Sequence, residues 1–316
     1  MKTLYEAKIK TLGPVFVGSG QTLRKSQYIY EQHKKVVGIV NETALVDSLL
    51  SKGRYDDFIQ QVTNEKWLDL RTCLAKYRMD YESLVSYRLP VNPGKDDRKK
   101  LNDLQMFVRN GLNEAYIPGS SIKGALRTCL LAKVADDTKD NKMFESLSVS
   151  DSEAISNKGF EIYQKIDYIT PNKQPNTIST FRECVKPGVV VRCTISFDED
   201  VLTIEQIKRE IRDTYIRYHN NWAAKIRSPQ VHPNMMGERV LMYLGGGAGF
   251  VSKTLHYKEK EPRRAREDVL AVLRKKYKTY KEIKNPQNVP MAVKLAPSKQ
   301  GDLELGLCEI TFTKKV

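Results

Sequence analysis

The chain is poor in the residues on which enzyme and metal chemistry most often rests. Its 316 residues include 4 histidines and 5 cysteines. His33, His219, His232 and His256 stand far apart in sequence, and no GxSxG, HExxH or paired-carboxylate signature accompanies them. Cys73, Cys129, Cys184, Cys193 and Cys308 are odd in number and scattered. They form no CxxC pair, and Cys184 and Cys193 have no histidine close by to complete a zinc site. They read as reduced, buried thiols of a cytoplasmic protein. No metal, cofactor or catalytic residue is expected on these grounds. Long apolar runs are missing too: nothing approaches the roughly 18 uninterrupted residues that a membrane span needs, so no membrane partner is expected. The opening stretch, MKTLYEAKIKTLGPVFVGSG, alternates in hydrophobicity and so does not read as a signal peptide.

Positive charge, by contrast, is plentiful. Lys plus Arg number 53 against 38 Asp plus Glu, a formal net charge of +15. An excess of that size predicts attraction to polyanions. With 40% hydrophobic and 29% charged residues the chain suits a globular fold. Its length points to two domains, or to one domain with a large insertion.

Periodicity gives a mixed succession of elements. Leu4, Ala7, Ile9 and Leu12 mark a first strand that ends at Gly13-Pro14, and VFVGSG (15–20) opens a loop. QYIYEQHKKVVGIV (27–40) reads as a hairpin turning at Gln32 to Lys35. Residues 41–88 have helical spacing, and VNPGKDDRKK (91–100) breaks it. A helix follows over 121–134, then strands over 147–153 and 160–170, and a strand pair joined by Pro-Gly over 181–198. The next helix, 204 to about 226, has a capping box at Thr203 and Gln206. Its apolar stripe is Ile204, Ile207, Ile211, Tyr215, Tyr218 and Trp222. A basic helix over about 263–281 and a last strand in LELGLCEITF complete an α+β pattern, compatible with two βαββαβ units.

Three glycine-bearing segments are candidate ligand sites. In IPGSSIKGALRT (117–128), Ser120 or Ser121 is expected to cap the helix, Ile122, Ala125, Leu126, Cys129 and Leu130 to face the core, and Lys123 and Arg127 to share a wetter face. A helix start exposes unpaired N–H groups at the positive end of its dipole. Ordinary capping and a phosphate site therefore both fit this stretch. In VGSGQTLRKSQ (17–27), Gly18, Ser19 and Gly20 form either a plain loop or a backbone anion nest, with Arg24 and Lys25 adding charge. In LGGGAGFVSKT (244–254), Gly245, Gly246, Gly247 and Gly249 allow close backbone approach, beside Phe250 and Lys253. That loop is not a P-loop, since Ser252 precedes Lys253-Thr254, and its glycines do not follow the dinucleotide pattern. A nucleotide-binding switch is accordingly a weaker reading.

Taken together, these segments resemble the RAMP superfamily of CRISPR proteins. The order VFVGSG, IPGSSIKGALRT, LSVSDSE, FEIYQKID, FRECVKPG and LGGGAGFVSKT is similar to that of type III-A (Csm) effector subunits, and it extends from about residue 12 to 310. The resemblance implies two ferredoxin-like (RRM-like) domains packed together. These would be 1–140, with a helical insert at about 41–110, and 141–316, with the glycine-rich loop at 244–250. It implies a non-catalytic, crRNA-binding subunit that caps the backbone-subunit filament at the crRNA 3′ end. Its expected partners are the crRNA, a neighbouring backbone subunit, and cellular ribonucleases recruited for 3′ trimming in antiviral defence. Gly119, Ser120, Ser121, Lys123 and Arg127 would lie against the crRNA backbone, with Gly245 to Gly249, Phe250 and Lys253 on the same RNA. Target-cleaving relatives carry an Asp in the early loop, whereas no Asp or Glu occurs here between Ala7 and Tyr30. The alternative reading is a metal-independent endoribonuclease of precursor crRNA, using some of the histidines as general acid and base.

Overall fold

The computed structural model describes residues 2–65, 68–92, 101–131, 143–169, 174–176, 180–246, 248–249, 252, 261–289, 292–299 and 301–315. Its strands are β1 (Lys2–Thr11), β2 (Gly18–Leu23), β3 (Tyr28–Glu31), β4 (Val36–Val40), β5 (Val85–Pro90), β6 (Leu104–Phe107), β7 (Ser148–Val149), β8 (Phe160–Gln164), β9 (Ile166–Ile169), β10 (Gln174–Asn176), β11 (Phe181–Val185), β12 (Val190–Asp198), β13 (Leu241–Tyr243), β14 (Ala292–Ala296), β15 (Leu303–Glu304) and β16 (Leu307–Lys314). The longer helices are α1 (Glu42–Ser51), α2 (Tyr55–Asn64), α3 (Leu70–Lys76), α4 (Gly119–Leu130), α5 (Ile204–Tyr218) and α6 (Pro262–Lys276). The fold is α+β.

The central sheet runs β13-β16-β1-β12-β7, antiparallel throughout. Ala7 and Ile9 are fully buried, and a period of two then turns Tyr5 inward as well. Leu4, expected on the buried face, is instead 49% exposed, because it stands at an even position of the same strand. Tyr5 stacks on Phe197 of β12 with ring centroids 5.1 Å apart. Helices α4 and α5 share one core with this sheet through Ile122, Leu126, Ile207 and Ile211. Between the helices, Thr214 Oγ1 donates to the Cys129 carbonyl at 3.3 Å. The path β1, α4, β7, β12, α5, β16 is thus a β-α-β-β-α-β succession, with its strands in the spatial order fourth, first, third, second. This sheet crosses the expected division at 140/141, since β1 lies hydrogen-bonded between β12 and β16.

The capping box at Thr203 and Gln206 is present as expected. The following helix continues past α5 through a π turn, His219–Ala223, to Ile226. The expected helical stretch 41–88 is α-helical only as far as Lys76, with one 3-10 turn at Glu82–Leu84. Val85–Pro90 instead pairs with β4 and extends the β3–β4 hairpin to three strands. Helices α1 to α3 cover that sheet through Ile29, Leu45, Leu49, Phe58, Leu70 and Leu74. VGSG is likewise not a free loop: β2 starts at Gly18 and pairs with β6, with a register irregularity between Gly18 and Thr22. Two further sheets, β2-β6-β11-β8 and β10-β9-β14-β15, complete the strands. Helix α6 packs Ala265, Val269 and Leu270 against Trp222, Val293 and Leu295.

Candidate nucleic-acid interface

The helix start in IPGSSIKGALRT departs from the expected serine cap. Helix α4 begins at Gly119, its N-cap is Pro118, and no side chain of the cap residue bonds to it. The Pro118 carbonyl accepts from Ser121 N at 2.9 Å and Ile122 N at 3.2 Å. The Gly119 N–H instead donates to Asp151 Oδ1 at 2.7 Å. The position a phosphate would take at this helix start is therefore held by a carboxylate of the chain itself. Gly119 also meets a steric need, because a Cβ there would come within 2.3 Å of the Val149 carbonyl oxygen.

Lys123 is half-buried and donates to the carbonyls of Phe144 at 2.8 Å and Leu147 at 2.6 Å, closing the helical turn at 143–146. Its cation serves chain carbonyls in this arrangement. Arg127 is exposed, with its guanidinium 5.5 Å from the centroid of the Phe144 ring.

The glycine-rich loop packs on the first glycine segment. Gly246 N donates to the Phe16 carbonyl at 2.6 Å, and Leu244 N to that of Gly306 at 2.8 Å. Gly245 has φ +82°, and a Cβ there would lie 2.3 Å from the Phe16 oxygen. Its close approach is to the chain's own backbone. Gly249 has φ +110°, and Ser252 Oγ donates to the carbonyls of Ala248 and Gly249 at 3.0 and 3.1 Å. Gly247, Phe250 and Lys253 lie outside the described residues.

All three segments nevertheless meet at one cleft of about 260 Å³, lined among others by Gly18, Ser121, Gly124, Tyr218, Tyr243 and Gly245. None of the described residues lining it carries a charge. Ser19 and Gly20 are exposed next to Gly18, and Ser120 is exposed at the start of α4. Arg24 is not brought to this cleft. It lines a separate groove of about 450 Å³ with Val40, Leu45 and Phe58, and Lys25 follows it in the chain.

The histidines occupy unlike environments. His33 is exposed in the β3–β4 turn, His232 is exposed and accepts from Asn234 N at 3.2 Å, and His256 lies outside the described residues. His219 is fully buried, with Nε2 3.0 Å from the Tyr243 hydroxyl. Burial pushes its pKa down to about 3, with His232 adding to the shift, so the ring is neutral at physiological pH. Tyr243 in turn donates to Glu304, whose carboxyl burial raises above its usual range. All five cysteines are buried and none forms a disulfide.

One cluster escaped the sequence reading. Lys165 Nζ lies 3.0 and 3.1 Å from the two carboxylate oxygens of Asp167, and Lys294 Nζ lies 2.6 Å from Asp167 Oδ2. Arg182, from β11, stacks its guanidinium 4.9 Å from the Phe16 ring centroid. Its neighbour Glu183 points the other way, as strand alternation requires, and accepts from Arg109 at 2.5 Å with no solvent exposure. A cation inside each of the strand segments YQKID, FRECV and AVKLA was the available signal; the meeting of Lys165 and Lys294 depends on pairing between β9 and β14.

Comparison with known proteins fits this architecture. The RAMP superfamily model matches residues 8–283. The chain is 34% identical over 349 aligned positions to the CRISPR system Cms protein Csm5 of Enterococcus italicus, covering 99% of this chain and 98% of that one. To the protein of the same name from Streptococcus thermophilus it is 24% identical, covering 79% and 80%. The crystal structure of Csm5 from T. onnurineus superposes with a TM-score of 0.63 at 15% identity, over 96% of this chain and 99% of that one. A chain of a Csm–crRNA–target RNA ternary complex from a type III-A system gives 0.68 at 15% identity, over 97% and 100%.

Proposed function

This chain belongs to the RAMP superfamily, similar to Csm5 subunits of type III-A CRISPR systems, and from that premise we propose that it is the non-catalytic crRNA-binding subunit at the crRNA 3′ end. It caps the filament of backbone subunits there and supports 3′ maturation by recruited cellular nucleases, in the cytoplasm. The observation that carries this reading is the convergence of Gly18, Ser121 with Gly124, and Gly245 with Gly246 on a single cleft. These segments are far apart in sequence, and small residues at each keep the cleft open. The +15 charge supplies the general attraction to RNA.

The succession β1, α4, β7, β12, α5, β16 supports one ferredoxin-like unit. Because it draws strands from both sides of residue 140, the two-domain arrangement is redrawn as an interleaved one, with the remaining sheets carrying the second domain. The endoribonuclease alternative gains nothing from His219, which is enclosed and neutral.

Binding of the full chain to a labelled single-stranded RNA, followed against salt, tests this function. The logarithm of affinity is expected to fall with that of salt concentration by roughly 0.7 per phosphate neutralised. Absence of binding, or binding indifferent to salt, contradicts it. Incubation with the same RNA in EDTA is expected to leave the strand intact, and specific cleavage lost on changing one histidine would favour the enzyme.

A further inference from the structure

Lys165 and Lys294 pair with Asp167 across β9 and β14, and Arg182 of β11 stands near enough to act on Lys165 and Asp167 electrostatically. Lys165, Lys294 and Arg182 contribute three positive charges and Asp167 one negative, an excess of two among the described residues of the cluster. The side chains of Lys165, Lys294 and Asp167 are 15%, 19% and 11% exposed. Both ammonium groups lie within ion-pair distance of Asp167, chiefly at Oδ2, and two cations already share its single negative charge. The Arg182 guanidinium donates from Nε to the neutral Gln105 Oε1 at 2.8 Å, and its NH1 nitrogen is buried without a hydrogen-bond partner among the described residues.

Such an arrangement is costly as architecture alone. Removing charge from water costs several kcal/mol per ion, and like charges held together add to that. A second carboxylate or an apolar residue at position 182 would relieve it. We propose that this cluster is an anion subsite that receives one backbone phosphate of the RNA. The inference rests on the RNA-binding reading above and gives it a location.

Two contacts tie the cluster to the cleft. Phe16, under the Arg182 guanidinium, is the residue whose carbonyl accepts from Gly246 at 2.6 Å. A Cβ built on Gly249 would lie 3.5 Å from Lys294 Cγ, so the end of the glycine loop rests on the cluster. The described lining of the cleft is itself uncharged. It suits the sugar and base of a nucleotide, and the accompanying phosphate needs cations just outside it. Lys165, Arg182 and Lys294 stand there. A phosphate's oxygens would accept from the orphaned NH1 group and offset the excess charge. Burial, together with the neighbouring Lys294 and Arg182, holds Lys165 below the usual lysine range even with Asp167 opposing.

The test uses the full-length chain and a labelled single-stranded RNA titrated across salt. Arg182→Gln and Lys294→Gln are each expected to bind more weakly at low salt and to reduce the salt slope by roughly 0.7, so that each loses about five-fold less affinity than the unchanged chain over one decade of salt. Arg182→Gln is expected to leave the melting temperature unchanged or raised, since it removes an uncompensated cation; a purely structural role would lower it. If both folded variants bind with unaltered slope while the unchanged chain still binds RNA, the subsite is overturned and the RNA-binding reading stands. If the unchanged chain binds no RNA, both fall. Amine-reactive labelling of Lys294 in the unmodified chain provides a readout free of folding effects: RNA is expected to protect it, and equal labelling with and without RNA overturns the proposal.

Discussion

Asp151 and Gly119 form the cap of helix α4: the carboxylate accepts from the glycine amide at 2.7 Å across 32 residues of sequence. The link ties LSVSDSE to IPGSSIKGALRT and neutralises the helix start from within the protein. Asp151→Ala is expected to lower stability to urea by about 1 kcal/mol, the usual worth of a capping side chain. RNA affinity is expected to hold or rise, because a competing negative charge is gone. A fall in affinity without loss of stability would contradict this assignment.

Two glycines of the same helix are expected to behave in opposite ways. At Gly119 a methyl group would meet backbone oxygens and carbons at 2.3 to 2.8 Å, so Gly119→Ala is expected to cost about 1–3 kcal/mol. At Gly124 a Cβ meets nothing within 4 Å, so Gly124→Ala is expected to stabilise the helix by roughly 0.5–1 kcal/mol. Gly124→Leu fills the cleft and is expected to weaken RNA binding while the fold persists. Thermal unfolding and RNA titration of the three variants check this.

Lys123 and Arg127, four residues apart, also separate. Lys123→Ala leaves the Phe144 and Leu147 carbonyls without their donor and is expected to cost about 1–3 kcal/mol of stability. Arg127→Ala is expected to leave stability within about 0.5 kcal/mol, as for an exposed site, and to weaken RNA binding. Equal melting temperatures for the two variants would refute the distinction.

The enclosed His219 gives stability a pH dependence. Its folded pKa, about 3, lies below the ordinary value of 6.5, so the unfolded chain binds more protons between those values. Stability from this residue is complete above about pH 6.5 and declines as pH falls toward 3. Glu304, raised by burial, acts with the opposite sign above its ordinary 4.5 and flattens part of that profile. The expected outcome is that His219→Gln has a shallower decline than the unchanged chain between pH 6.5 and 5, measured by urea unfolding. Parallel profiles would show that the ring is not held neutral.

Local pattern made much of the fold legible. The Thr203 and Gln206 box, the β3–β4 hairpin and the stripe on α5 rest on neighbours within a few residues, and they formed as read. What escaped depends on distant partners. Ser120 and Ser121 lost the cap to Asp151, 30 residues further on, because the chain crosses that helix end at bonding distance. Val85–Pro90 carries a helical-looking spacing, yet β4 offers it an edge to pair with. The three glycine segments were visible singly, but their shared cleft needed the fold. Lys165, Arg182 and Lys294 stand on three strands far apart in sequence, and Lys165 meets Lys294 only through sheet pairing.

The central claim is a place at the 3′ end of the guide RNA. Sequencing guide 3′ ends from cells that assemble the effector complex with and without this chain tests it most directly. The account predicts guides trimmed to a mature length with the chain and retained longer 3′ ends without it. Identical 3′ ends in both cases would contradict it.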